Sequence, residues 1–102
     1  IIFPFAKSRE MQAFKKKILE PINEHDAENN SNLLETLTQY VLSGCSMHVT
    51  AKMILQHENT VRYRLEKIGL LTGLDFKYPA QLEELALAIK IEICSRLLGD
   101  RG

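Results

Sequence analysis

Between Ser46 and Gly69 two helical patterns are separated by only three residues, Leu55-Gln56-His57. A connection that short obliges two helices to pack against each other at a steep angle. The first pattern, Met47–Ile54, is two turns long, and Ser46 stands where a helix cap belongs. The second starts near Glu58 and continues to about Ile68. A close crossing needs a small side chain on the first helix, and Ala51 supplies it. On the second helix Val61, Leu65 and Ile68 fall within a narrow arc at about 100° per residue. They face Ala51, Ile54 and Met47 as a miniature core, so the segment 46–69 reads as a helix-turn-helix.

The rest of the chain follows the same helical period, with no convincing strand. A first helix is predicted over about Ser8–Glu20, with Met11, Phe14, Ile18 and Leu19 on one side and Pro21 ending or bending it. The polar stretch Asn23–Asn32 reads as loop. Asn32 followed by Glu35 matches a capping box, which starts a helix over Leu33–Leu42. Leu33, Leu34, Leu37, Val41 and Leu42 fit its inner face, and Ser43-Gly44 stops it. Gly69 and Gly73 bracket a turn. Pro79 suits the first position of a last helix that runs to about Leu98 and is closed by Gly99. Its stripes are Leu82, Leu85, Ala86, Ile89, Ile93 and Leu97, then Leu87, Ile91, Cys94 and Leu98. They read mainly as core, with a subunit interface as the alternative. The expectation is one all-α domain, 1–102, with five helices: lead-in helices over 8–43, the helix-turn-helix, and a C-terminal helix over 79–98.

Size and composition narrow the function. A chain of 102 residues with 45% apolar and 25% charged residues is an ordinary globular domain. No apolar run reaches the ~20 residues that cross a bilayer. The Ile1-Ile2-Phe3-Pro4-Phe5 run is too short for a signal peptide, and a cytoplasmic location is expected. The first residue is not Met, so the chain reads as a piece of a longer protein. Cys45 and Cys94 are expected to be free thiols. His25, His48 and His57 are scattered, and no metal or cofactor is expected. No phosphate loop, metal cluster or nucleophile arrangement supports an enzyme.

The 13 basic and 13 acidic residues cancel, but unevenly. Glu20–Glu35 holds five acidic residues and no Lys or Arg, whereas Lys52–Lys67 holds four basic residues against Glu58 and Glu66. A local basic face matters more for phosphate contact than the sum does. The outer face of the second short helix presents Asn59, Thr60, Tyr63 and Lys67, flanked by Arg62 and Arg64. Asn and Thr can hydrogen-bond base edges, Tyr a base or phosphate, and Arg and Lys suit phosphate or guanine. The start of a recognition helix enters deepest, so Asn59, Thr60 and Tyr63 are the base-contact candidates. Lys52 on the preceding helix can reach the backbone. An amphipathic helix with a solvated polar face is the plainer alternative. His57 is either a turn residue serving local backbone groups or a DNA contact. His48 is expected to face solvent. His25 and Asp26 read as loop-capping groups with no nucleophile nearby in sequence. Lys15-Lys16-Lys17 reads as a solvated face, with approach to a DNA backbone as the alternative.

Thr50-Ala51 and the run His57-Glu58-Asn59-Thr60-Val61-Arg62-Tyr63-Arg64-Leu65 resemble the C-terminal helix-turn-helix of PucR/CdaR-type regulators. Ile18-Leu19-Glu20-Pro21-Ile22, His25-Asp26, Leu33-Leu34-Glu35-Thr36-Leu37 and Thr72-Gly73-Leu74-Asp75 extend the likeness over about residues 12–98. The helix-turn-helix is also similar to that of the Fis nucleoid protein. The resemblance implies the DNA-binding end of a longer bacterial regulator, commonly an activator of catabolic genes, with sensory or dimerising regions before it. It implies a double-stranded DNA operator as partner, a homodimer in the full-length protein, and effector binding outside this chain. Two departures stand out. The family often has Arg where Glu58 stands, which puts an acid at the groove entrance; that acid can still read cytosine or favour the helix N-terminus. Val49 and Met53 occupy usually polar positions, against the last helix or a partner. A helical protein-interaction module is the second reading, favoured by that apolar pair and the neutral net charge.

Overall fold

The computed structural model describes residues 8–99; the Ile1–Phe5 run lies outside them. Five helices follow one another: α1 (Arg9–Asn29), α2 (Leu33–Leu42), α3 (Met47–Ile54), α4 (Glu58–Thr72) and α5 (Pro79–Gly99). The described residues contain no strand. α2 is the hub and packs on all four other helices, while α1 packs on α2, α4 and α5. The short pair α3 and α4 lies against α2, and the backbone of α5 stays further from both. One face of that pair is therefore left to solvent.

α1 corrects the first expectation. Pro21 sits inside a continuous helix that reaches Asn29, so residues 23–29 are helical and not loop. Proline removes one backbone donor and crowds the preceding turn, a cost of ~3 kcal/mol in an isolated helix. Ile18, Leu19 and Ile22 are all buried on either side of it, and their burial offsets that loss. The helix ends at Asn30, whose N–H makes the last helical bond to the Asp26 carbonyl at 2.7 Å and whose backbone is left-handed (φ 51°).

The start of α2 holds the second correction. Asn32 lies at the N-cap position with φ 57°, but its side chain makes no capping bond, so the Asn32/Glu35 capping box does not form. Asp26, one helix earlier, does the capping instead. Its two carboxylate oxygens accept from the backbone N–H groups of Leu33 (2.8 Å) and Leu34 (2.9 Å). The Ser31 hydroxyl donates to Asp26 at 2.6 Å and contacts His25 Nδ1 at 2.8 Å. A serine thus does lie beside His25 and Asp26, contrary to the sequence reading. Its proton points to the carboxylate and not to the imidazole, so the cluster is a cap and not a nucleophile. Burial pushes the Asp26 carboxyl up, but hydrogen bonds from Ser31, Leu34 and Leu33, with the charge of His25, outweigh burial and hold it below its ordinary value.

A carboxyl with a lower pKa folded than unfolded stabilises the fold above its unfolded pKa. That contribution disappears as pH falls through the folded value. Asp26→Ala is therefore expected to cost about 0.5–2 kcal/mol at neutral pH, the range for a lost helix cap. The gap between parent and variant in urea unfolding should close as pH drops below ~4. A gap that stays constant with pH would mean that ionised Asp26 is not the cap.

The main core joins Ile18, Leu19 and Ile22 of α1 with Leu33, Leu37 and Tyr40 of α2, and with Ala51, Val61, Leu65 and Ile68 of the short pair. From α5 it takes Leu85, Ala88 and Ile89. Phe76, in the loop before α5, meets Tyr40 edge-on with ring centroids 6.1 Å apart, which anchors that loop to α2. A second cluster, Ile91 and Cys94 with Leu87, Met11 and Phe14, seals α5 against α1. Polar bonds run along the same seam: Lys15 Nζ and Arg96 Nε grip the two oxygens of Glu92 at 3.0 and 2.7 Å, and Gln12 donates to Ser95. Lys15 therefore serves the fold, while Lys16 and Lys17 are exposed. Leu97 is 60% exposed and does not join the core, so the inner stripes of α5 end a turn earlier than its periodicity suggests. Cys45 and Cys94 are both free thiols.

Candidate nucleic-acid interface

The scaffold of the site is set by local bonds. Ser46 caps α3 as its position predicts, its hydroxyl accepting from the Val49 N–H at 3.1 Å. Thr50, fully buried, donates its hydroxyl to the Ser46 carbonyl at 2.6 Å. Ala51 is buried in the same cluster as Val61 and Leu65, as its size at the crossing requires. The turn is then closed by Leu55 in the left-handed conformation (φ 57°). Leu55 and Gln56 donate their backbone N–H groups to the carbonyls of Lys52 (3.4 Å) and Ala51 (2.9 Å), the paired bonds of a Schellman ending. Glycine is the usual residue at such a site. Leu55 instead keeps its side chain in water, 86% exposed.

α4 begins at Glu58 and runs to Thr72, where Gly73 (φ 78°) ends it. Gly69 lies within the helix, so the turn expected to start there begins four residues later. Val61, Leu65 and Ile68 form the buried face. On the opposite side Asn59, Arg62 and Tyr63 are exposed, Tyr63 by 64%, while Thr60 and Lys67 are half-buried at the margin. Lys52 on α3 and His57 in the turn are also exposed. The His57 side chain makes no capping bond; only its carbonyl serves the helix, accepting from the N–H groups of Thr60 and Val61. His57 thus serves local backbone groups through its carbonyl, and its exposed side chain takes no part.

Arg64 departs most from the expected face. Its Nη1 turns back to donate to the Thr36 hydroxyl at 3.0 Å, and Thr36 is fully buried in α2. The Thr36 hydroxyl donates in turn to the Asn32 carbonyl at 2.8 Å. Arg64 is thereby a strut between α4 and α2, with one of its five donors committed to the fold. The geometry brings Asn59, Thr60, Arg62, Tyr63 and Lys67 together along α4 and ties Arg64 inward. Two contributors were not anticipated. Thr36 carried only a weak signal, a polar residue within an apolar helical face. The other is a bond from His48 Nδ1 to Glu58 Oε2 at 2.9 Å, which joins the starts of α3 and α4. Val49 and Met53 are exposed by 42% and 61%. Their helix is not closely packed on α5, and much of both side chains lies in water.

The model of the PucR C-terminal helix-turn-helix domain matches residues 33–91, more than half of the chain. The chain belongs to this family. Within the PucR domain so matched, α2 to the greater part of α5 carry the likeness, and α1 precedes it. An uncharacterized protein of Haemophilus influenzae is 43% identical over 60 residues, covering 59% of this chain and 16% of that protein. The purine catabolism regulatory protein of Bacillus subtilis is 36% identical over 83 residues, covering 81% of this chain and 15% of the relative. The proline-responsive transcriptional activator PutR of Bacillus subtilis is 30% identical over 69 residues, 68% of this chain and 17% of the relative. The chain thus spans about one sixth of the length of these relatives. No solved structure matches it. The PucR-type domain is a DNA-binding regulatory module, and the resemblance read from the residues around Asn59 holds. Among the described residues no helix is long and apolar enough to cross a membrane, and no group of three His, Cys, Asp or Glu is placed to hold a metal ion.

Proposed function

We propose that the chain is the C-terminal, sequence-specific DNA-binding domain of a longer bacterial regulator that acts as a homodimer and activates catabolic genes. One observation carries this reading. The face of α4 opposite Val61, Leu65 and Ile68 is polar, and its Asn59, Arg62 and Tyr63 are exposed. α4 enters the major groove; Asn59, Thr60 and Tyr63 meet base edges, while Arg62, Lys67, Lys52 and His57 line the phosphates. Arg64 adds its remaining donors from the flank. Relatives named as regulators of purine catabolism and as a proline-responsive activator support the catabolic role. Effector binding belongs to regions of the regulator outside this chain, and dimerisation rests partly or wholly on them.

The test is binding of the full-length protein to DNA from its own upstream region, with salt varied. Asn59→Ala should weaken binding to the operator by about 1–3 kcal/mol and leave nonspecific binding nearly unchanged. Equal weakening of both would mean that Asn59 touches the backbone and reads no base. A second reading, a protein-docking module, is favoured by the exposed apolar pair Val49 and Met53 on α3. It predicts that the upstream DNA is not bound and that charged replacements at those two positions abolish a protein contact.

A further inference from the structure

We infer that Glu58 is a base-reading residue that selects cytosine in the major groove, and that His48 is the residue that positions it. The inference rests on α4 entering the groove as proposed above. Glu58 is the first residue of α4, at the end of a recognition helix that lies closest to the bases. An acid there faces a field of phosphates, so an unrestrained carboxylate only weakens binding. This one is restrained. His48, the second residue of α3, holds Glu58 Oε2 through its Nδ1 at 2.9 Å. The bond spans the turn and ties the side chain at the head of one short helix to the side chain at the head of the other.

Both side chains are largely in water, 65% and 50% exposed, and exposed pairs of this kind add little to stability. The consequence of the bond is therefore where it puts the carboxylate. With Oε2 taken by His48, Oε1 remains as an acceptor for a donor outside the fold. A carboxylate has only acceptors, and the major groove offers two kinds of donor: the N4 amino group of cytosine and the N6 amino group of adenine. Guanine N7 and O6 and thymine O4 are acceptors and repel it. Adenine N6 stands beside the N7 lone pair, which also repels a carboxylate, whereas cytosine N4 has a C–H for its outer neighbour. Cytosine is the base that fits.

The experiment is selection from a randomised duplex DNA library by the full-length protein carrying Glu58, Glu58→Gln or His48→Ala, with urea unfolding of each to show that all three are folded. The parent should select cytosine at one position. Glu58→Gln should lose about tenfold of that preference and move toward adenine, whose N6 and N7 match the amide. His48→Ala should blunt the cytosine preference several-fold while the positions read by Asn59 keep theirs. Identical base preferences in all three proteins, with only a uniform gain in affinity on removal of the acid, would overturn the inference and leave Glu58 as a first-turn charge. No DNA binding by any of the three would overturn the proposed function and this inference with it.

Discussion

Joining two copies of this domain through an unrelated dimerising segment is expected to raise its affinity for a two-half-site operator by ~100-fold or more over the single chain. The chain has 13 basic and 13 acidic residues, so its overall charge draws no counterion-releasing contacts beyond those of the local basic face. That face is small. Arg62, Lys67 and Lys52 are its main cations, and Arg64 has one donor turned inward to Thr36. One short recognition helix with few phosphate contacts binds weakly at physiological salt. Two tethered helices meet the second half-site at high effective concentration, and half-sites one helical turn apart (~34 Å) suit a two-fold pair. Titrating the single and joined chains against one operator at one fixed salt concentration measures the gain. Equal affinities, with the single chain shown to be monomeric, would mean that one domain suffices.

Ala51→Leu should destabilise the domain by ~1–3 kcal/mol. Ala51 is 5% exposed and shares the core with Val61 and Leu65, each 1% exposed or less. The added atoms have to displace either those side chains or α4 itself. Because α4 also leans on α1 and α2, its movement spreads strain into the rest of the core. The denaturant midpoint should fall, and operator binding should fall further than stability alone accounts for, since the recognition face tilts with α4. An unchanged midpoint would contradict the close crossing of α3 and α4. Leu substitution at Met53, on the same helix and 61% exposed, provides the control that leaves packing intact.

The sequence by itself determined whatever rests on contacts within a turn or two. The 3.6-residue spacing of Val61, Leu65 and Ile68, the Ser46 cap, the helical start at Pro79 and the three-residue connection 55–57 all act over a few positions. Each is visible in a short window, and each stands in the structure. The outward set of Asn59, Arg62 and Tyr63 follows from the same period once the inward set is known. What only the tertiary structure decided involves partners distant along the chain. Pro21 was expected to end or bend α1 near Glu20, but the burial of Ile18, Leu19 and Ile22 against other helices carries the helix past it. Asp26 caps α2 from the preceding helix, at a separation no capping-box pattern spans. Arg64 reaches Thr36 across 28 positions and His48 reaches Glu58 across 10. Propensity and periodicity say which face of a helix is polar. Which cation on that face stays free for DNA, and which is bound back into the fold, depends on where the neighbouring helix places its acceptors.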